Sequence, residues 1–189
     1  MKTIVKSCVQ VVSLLIVLPV AAIAGFGSFA GGFRFGAQLC SLVPGLPGDY
    51  LRIAFYKFTL QKCSLGSRVS FGSFFAHPEA VLGDDVYIGA FCILGRCSIG
   101  DRTQIASHVQ IISGRRQHER LPTGQITGSD EGVFESVGVG SDCWVGASSI
   151  IMASVGSQTT IGGGAVVVRP IGDRVVAVGN PARVIKEAC

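Results

Sequence analysis

Residues 82–106 read LGDDVYIGAFCILGRCSIGDRTQIA. Through this stretch an aliphatic residue followed by glycine or alanine returns every five or six positions. The same pair occurs on both sides of the stretch, at Leu65-Gly66, Phe71-Gly72, Val139-Gly140, Val145-Gly146, Val155-Gly156 and Ile161-Gly162. A near-constant period this short is typical of a solenoid.

The period also predicts how each coil is built. An isolated surface strand alternates with period two, whereas here the aliphatic position returns after about six residues. This spacing suits three short flat faces per coil, joined by tight corners, with one aliphatic side chain per face pointing to the axis. We expect the glycine after each aliphatic residue to let the backbone turn. Because one coil cannot bury its own apolar row, stacking of coils supplies the core.

Two further stretches carry a resemblance to a known family. Residues 178–186, VGNPARVIK, resemble the closing motif of the acetyl-CoA-dependent sugar and xenobiotic O-acetyltransferases, and Asp142-Cys-Trp-Val-Gly146 resembles their tryptophan-containing coil. Residues 65–186 thus resemble the hexapeptide-repeat acyltransferases. The resemblance implies an all-β, left-handed parallel β-helix with about 18 residues per turn, a homotrimer, and acetyl-CoA or another acyl-CoA as co-substrate. A β-helix without catalysis is the alternative.

Composition limits the classes of protein to which the chain can belong. The 189 residues suffice for one domain with an appendage, and 26 glycines with 15% charged residues fit a glycine-cornered solenoid. The mean hydropathy of +0.51 indicates membrane contact. The net charge of +4 suits an anionic membrane surface or the phosphates of a nucleotide cofactor. No array of basic and aromatic residues indicates a nucleic-acid partner.

The N-terminal segment is apolar from residue 8 to residue 25, after Lys2 and Lys6. Three interpretations compete: a signal peptide cleaved after Ala22-Ile-Ala24, a single transmembrane helix, or a segment that enters the membrane and returns. Residues 26–47 stay apolar, which a mature secreted protein would not normally show at its start. Lysines mark the cytoplasmic side, so a hairpin or re-entrant anchor would keep the coil in the cytoplasm, where acyl-CoA is. We favour that arrangement, at the cytoplasmic face of the inner membrane.

These observations divide the chain into residues 1–48 as a hydrophobic anchor, 49–63 as an amphipathic capping helix and 64–189 as the β-helix with a loop at 113–136. Asp49 is the predicted N-cap of the capping helix. Its apolar face carries Leu51, Ala54, Phe55 and Phe58, with Arg52, Lys57 and Lys62 elsewhere. Residues 36–56 also resemble the lead-in of a membrane-associated subgroup of hexapeptide acyltransferases.

The interruption at residues 113–136 contains a candidate catalytic histidine. In the family that the chain resembles, a loop at this point carries the general base toward a neighbouring subunit, and histidine suits transfer from a thioester to a hydroxyl because it takes up a proton near neutral pH. We predict His118 as the base, oriented by Glu119 or Glu135, with His108 as the second candidate. His77 is interpreted as structural. The spacing of the three histidines does not fit a zinc site, so no metal is predicted.

The resemblance also implies an acyl-CoA site between adjacent subunits, with backbone groups of the later coils on the pantetheine and basic residues on the phosphates. Position by position it implicates Trp144, Gly146, Ala147, Gly164, Arg169, Arg183 and Lys186. Arg183 and Lys186 share a face if their segment is helical.

The seven cysteines include no Cys-x-x-Cys pair, and a reducing compartment explains them best. Direct transfer in the family needs none of them as a nucleophile. The sequence therefore predicts an O-acyltransferase, acetylating a sugar hydroxyl of a polysaccharide or lipid-linked envelope intermediate. The alternative is a non-catalytic trimeric platform in an envelope or secondary-metabolite complex.

Overall fold

The structure is a computed structural model that describes residues 2–114, 118, 120–128 and 134–187. Three α-helices come first: α1 (Lys2–Ile23), α2 (Ala30–Ser41) and α3 (Gly45–Thr59), with a 3-10 turn (Gly25–Gly27) between α1 and α2. Every later element in the described part of the chain is a short strand.

The strands form three sheets. Sheet A consists of β1 (Lys62–Cys63), β4 (Val81–Leu82), β7 (Cys97–Ile99) and β10 (Val137–Val139). Sheet B consists of β2 (Arg68–Val69), β5 (Tyr87–Ile88), β8 (Gln104–Ile105), β11 (Trp144–Val145), β13 (Thr160–Ile161), β15 (Val175–Val178) and β16 (Arg183–Glu187). Sheet C consists of β3 (Phe74–Phe75), β6 (Ile93–Leu94), β9 (Gln110–Ile111), β12 (Ile150–Ile151) and β14 (Val166–Val167).

The chain visits the sheets in the order A, B, C and pairs in parallel with the previous coil each time, apart from the antiparallel β16. About six turns stack in this way. One aliphatic side chain from nearly every strand is buried on the axis, for example Leu82, Ile88 and Leu94 in one coil. The predicted parallel β-helix is therefore confirmed.

The number of residues per turn varies, and the extra residues all lie at one corner. Paired residues are 19 positions apart at Lys62 and Val81, 17 at Tyr87 and Gln104, and 16 at Trp144 and Thr160. From sheet A to B and from B to C, successive inward residues are always six apart. Only the C–A corner, between sheets C and A, changes in length, and the loop between β9 and β10 leaves from this corner.

Most repeat glycines serve stacking and not the turn itself, which corrects our expectation; Gly72, with φ 74°, is an exception. At Gly89, an added Cβ would lie 2.6 Å from the backbone of Ala106 and Ser107 in the next coil. The left-handed backbone conformation falls two residues after the repeat glycine, usually on another residue type, as at Phe91 (φ 58°) and His108 (φ 61°). Glycine is needed because the backbone of the next coil lies directly against it.

The first coil has a different register from the one that its sequence suggested. Leu65-Gly66 and Phe71-Gly72 lie at corners, and the buried inward residues of this coil are Cys63, Val69 and Phe75. In this coil, the inward residues therefore lie two positions before the aliphatic residues that the repeat predicted. The helices explain the difference, because they pack on the first coil where later coils have a coil before them.

Helix α3 closes the open end of the β-helix. The Tyr56 hydroxyl accepts a hydrogen bond from the Phe75 backbone N–H at 3.1 Å, and the two rings pack edge to face with centroids 5.0 Å apart. Phe55 is fully buried and stacks on Phe33 of α2. A capping layer of this kind protects the apolar end that every solenoid exposes.

Asp49 and Arg52 hold the helices to the first coil, in roles that the sequence did not indicate. Helix α3 begins at Gly45 and not at Asp49, so Asp49 is not an N-cap. Its carboxylate instead accepts bonds from Arg52 (2.6 Å) and Arg68 (2.7 Å). Arg52, expected on the polar face, is fully buried and donates to the carbonyl groups of Cys40, Ser41, Val43 and Val69.

The two N-terminal helices pack on α3 and present an apolar outer surface. Within the described residues one helical stretch, Val5–Ile23, is long and apolar enough to cross a membrane, with 17% of its window buried. The 12 residues of α2 are fewer than the roughly 20 that a crossing needs. Large exposed hydrophobic side chains of this segment are Val5, Val9, Val11, Val12, Leu15, Ile16, Leu18, Ile23, Phe26, Phe29, Phe35, Leu39, Leu42 and Leu46.

The stacking role of glycine gives a testable prediction. Gly89→Ala should lower the free energy of unfolding by about 1–3 kcal/mol, because the new methyl group overpacks against the next coil. Gly172 is the matched control, since it also follows an aliphatic residue but has no atom within 4 Å of an added Cβ. Urea unfolding followed by circular dichroism should leave Gly172→Ala within about 0.5 kcal/mol of wild type. Equal losses at both positions would mean that glycine is needed for the turn.

Candidate active site

The outer face of sheet B presents a continuous column of side chains. Because side chains alternate along a strand, Val145 points to the axis while Trp144 points outward with 61% of its surface exposed. Trp144 is in register with Gln104 on one side and Thr160 on the other. Thr160 is in turn paired with Val176 of β15.

A β-bulge brings the two C-terminal basic residues onto this same face. Arg183 and Lys186 lie in strand β16 and not in a helix, so the helical condition of our prediction is not met. They pair with Val178 and Val176, which share a face because they are two apart on β15. The register shift in β16 adds one residue between them and so restores the common face. At about 4.8 Å per strand, Lys186 lies about 14 Å from Trp144 along the column.

The corner between sheets B and C, the B–C corner, borders this column. Gly146 and Ala147 follow β11 at this corner, and the Ala147 carbonyl accepts a hydrogen bond from the Gly164 N–H at 2.8 Å. Gly164 has φ 68° and no atom within 4 Å of an added Cβ. The structure therefore leaves space beside the backbone at Gly164, on the coil that follows Trp144.

His108 occupies the same corner two coils before Gly164. Its backbone N–H donates to the Ala90 carbonyl at 2.9 Å, and its ring stacks on Phe91 with centroids 5.3 Å apart and planes 14° apart. Phe91 in turn meets Phe71 edge to face. His108 is exposed and is positioned by this short aromatic ladder.

His118 and Arg169 lie elsewhere. Both belong to the C–A corner, at the other end of sheet C, where Arg169 is exposed after β14. His118 is exposed in the loop, and its Nδ1 is 3.1 Å from the Thr127 carbonyl oxygen. The Glu135 N–H donates to the Ser113 carbonyl at 3.0 Å and closes the base of the loop. Glu119, one proposed orienting residue, lies outside the described residues.

The sequence comparison addresses the family directly. Residues 79–113 match the protein-family model described as bacterial transferase hexapeptide (six repeats). The match spans 35 of the 189 residues, and over this part the chain carries the hexapeptide repeat. The comparison with curated protein sequences gave no match.

Solved structures share the fold of this chain at low sequence identity. A maltose O-acetyltransferase from Clostridium difficile 630 is 22% identical, with a TM-score of 0.70 over 86% of this chain and 89% of that one. A galactoside acetyltransferase in complex with coenzyme A is 19% identical, with a TM-score of 0.68 over 86% and 84%. AntD, an N-acyltransferase from Bacillus cereus in complex with a dTDP-sugar and coenzyme A, is 19% identical, with a TM-score of 0.55 over 70% and 87%.

Sequence reasoning missed a polar cavity at the C–A corner. The cavity, of about 550 Å³, lies between the 3-10 turn and the coil and is lined by residues that include Phe26, Glu79 and Arg96. His77 is close by, with its ring 5.0 Å from that of Phe134, where the loop returns. Burial lowers the pKa of His77, Glu79 opposes this, and Arg96 and Arg34 add to the lowering. No repeat or motif marks these residues, because the chain brings them together only by coiling.

Burial lowers the reactivity of two cysteines in the coils, Cys63 and Cys97. Burial raises the pKa of both Cys63 and Cys97 to about 12. Thiolate is the reactive form of cysteine, so these thiols are unreactive near neutral pH. Among the described residues, no group of three or more His, Cys, Asp or Glu side chains could hold a metal ion.

We predict that iodoacetamide at neutral pH labels Cys63 and Cys97 only after the protein is unfolded in urea. Burial removes both access and the thiolate form, and unfolding restores both. Peptide mass spectrometry of native and unfolded samples checks this site by site. Labelling of Cys97 in the native protein at the rate of the unfolded protein would contradict the prediction.

Proposed function

We propose that this chain is an acyl-CoA-dependent O-acyltransferase that transfers an acetyl group to a sugar hydroxyl. The observation that carries the proposal is the convergence of Trp144, Arg183 and Lys186 on one face of sheet B, beside the open backbone of the B–C corner. Two of the structures that share the fold hold coenzyme A, and their names describe acyl transfer.

Coenzyme A fits this face by its chemistry. Its phosphates are matched by Arg183 and Lys186, since charged donors to phosphate make the stronger hydrogen bonds. The narrow pantetheine arm runs beside the B–C corner, along Gly146 and Ala147, to the open space at Gly164 on the next coil. Arg169 lies at the C–A corner and reaches this cofactor only from a neighbouring subunit.

His118 is the proposed general base. A hydrogen bond from Nδ1–H to the Thr127 carbonyl fixes the tautomer and leaves the Nε2 lone pair free to accept a proton. Nε2 takes the proton of the acceptor hydroxyl as its oxygen attacks the thioester carbonyl carbon. The C–S bond then breaks, and the imidazolium returns the proton to the sulfur of coenzyme A. Backbone N–H groups of a neighbouring coil stabilise the oxyanion.

We infer that a second subunit completes the site. Within one chain, His118 leaves from the C–A corner, whereas Trp144 and the basic pair lie on sheet B. In a homotrimer each C–A corner meets the sheet B side of a neighbour, and one complete site forms at each interface.

The helices support work at a membrane. Residues 5–46 expose many large apolar side chains on the capping layer, and we propose that they hold the enzyme in the cytoplasmic face of the inner membrane as a re-entrant anchor. The polar cavity between Phe26, Glu79 and Arg96 opens beside this layer and next to the loop of His118. It is our proposed site for the acceptor hydroxyl, which suits a polysaccharide or lipid-linked envelope intermediate. A non-catalytic trimeric platform is the alternative, and it would bind no coenzyme A.

The single tryptophan of the chain is a direct reporter of cofactor binding. Titration with coenzyme A should change the emission of Trp144, because the cofactor would cover this exposed ring. Arg183→Gln and Lys186→Gln should each weaken binding about tenfold, since each removes a phosphate contact worth about 1.4 kcal/mol. Arg174→Gln is the matched control, because Arg174 is exposed but bonds to Gln158 at the A–B corner. No emission change up to millimolar coenzyme A would favour the platform.

His118→Ala should lower the rate of acyl transfer to a sugar acceptor by about 10²- to 10⁴-fold, the usual contribution of a general base. The emission response to coenzyme A should stay intact, since His118 does not hold the cofactor. A thiol-release assay measures the rate. If His108→Ala loses the rate and His118→Ala keeps it, the base is His108.

Mixing two inactive variants tests the shared site. His118→Ala protein and Arg183→Gln/Lys186→Gln protein, unfolded and refolded together, should regain part of the wild-type activity, because some interfaces of mixed trimers combine an intact loop with an intact face. Each variant refolded alone is the control. If the mixture is no more active than the separate variants, His118, Arg183 and Lys186 of one site belong to a single subunit.

A further inference from the structure

Two cavities lie side by side between α1, α3 and the first coil. The larger one, of about 590 Å³, is an apolar groove between α1 and α3, lined by residues such as Val9, Val12 and Leu51. The smaller one, of about 180 Å³, is bounded by Lys6, Asp49 and Arg68. Leu46 and Tyr50 line both cavities, so the apolar groove borders the smaller cavity, its charged end, at these two residues.

Positive charge is in excess at the charged end. Three cations lie here, those of Lys6, Arg52 and Arg68, against the two carboxylates of Asp49 and Asp85. Asp85 borders this end because its Oδ1 lies 3.1 Å from where a Cβ on Gly66 would be. Arg52 is buried and committed to Asp49 and to backbone carbonyl groups. The cations that face the opening are therefore Lys6 and Arg68.

Arg68 is held in position for an anion. Its Nε donates to Asp49 at 2.7 Å, and its guanidinium carbon lies 5.7 Å from the centroid of the Tyr87 ring. These contacts fix the plane of the group, whereas only one of its five N–H donors goes to Asp49. Its side chain is 53% exposed, so a ligand can reach the other donors.

We propose that this groove binds one anionic membrane phospholipid, with a hydrocarbon chain between α1 and α3 and the phosphate between Lys6 and Arg68. The apolar groove alone would fit any lipid tail, and the basic end selects a negatively charged headgroup. This proposal rests on the membrane association given under the proposed function, but it does not depend on the acyl-transfer reaction.

The position of the groove indicates an anchoring lipid and not the acceptor. Lys6 and Arg68 lie at the first coil, with Leu65 bonded to Gln10 of α1 through a 2.9 Å hydrogen bond. Trp144 is three strands away along sheet B, about 14 Å at the usual strand spacing. A phosphate held at Arg68 is therefore too far from the candidate cofactor face to present a reacting hydroxyl there.

Vesicle flotation tests the proposal on the full-length protein. We expect binding to phosphatidylcholine vesicles that contain phosphatidylglycerol to be about tenfold tighter or more than binding to phosphatidylcholine alone, since each cation near an anionic surface adds to binding. Lys6→Gln/Arg68→Gln should lose most of this preference. Lys62→Gln/Arg174→Gln removes the same net charge from exposed positions elsewhere and should keep it. Equal loss in the two double variants would overturn the proposal, because it would show general electrostatic attraction.

Native mass spectrometry identifies the occupant. Wild-type protein extracted from membranes in a neutral detergent should retain one phosphatidylglycerol, and Val12→Phe, which fills the groove without altering a charge, should lose it. Retention by Val12→Phe, or an isoprenoid phosphate in place of the phospholipid, would overturn the proposal. The Trp144 emission response to coenzyme A is measured on the same samples, so a failure of lipid binding and a failure of the proposed function are told apart.

Discussion

The stacking distance between coils is the constraint on which the rest of this structure depends. Parallel strands pair at about 4.8 Å, and at the corners this brings the backbone of one coil against the residue that follows the inward side chain of the previous one. Gly89, Gly140 and Gly146 all sit where a Cβ would meet the next backbone at under 3 Å. The same contacts align the outer faces of the coils, so that side chains distant in sequence form straight columns.

Stacking also creates the need for the helices. The first coil has no predecessor, and Tyr56 and Phe55 of α3 cover it. Arg52 then secures α3 to the carbonyl groups around it and pairs with Asp49, which is why an arginine is fully buried in the cap. The outer side of this layer is apolar in turn, and this surface is the basis of the proposed membrane anchor.

The candidate site follows the same geometry. The number of residues per turn varies only at the C–A corner, so the chain can insert the loop of His118 there without disturbing sheets B and C. The six-residue steps elsewhere keep Trp144, Thr160 and Val176 in one column. The proposed general base lies on the variable corner and the proposed cofactor face on the constant sheet B. In the proposed trimer, these two parts would come from adjacent subunits.

The sequence by itself determined the parallel β-helix, the position of the loop and the residue types of the candidate site. This was possible because the repeat is a local pattern that recurs in each coil. It misplaced the inward residues of the first coil and the start of α3, because packing between helices and coil overrides local patterns there. Only the tertiary structure decided that Arg183 and Lys186 share the face of Trp144, through a bulge that no spacing shows. It alone brought Glu79, Arg96 and His77 to one corner, and Lys6 to Arg68, since these contacts join residues from different coils and helices.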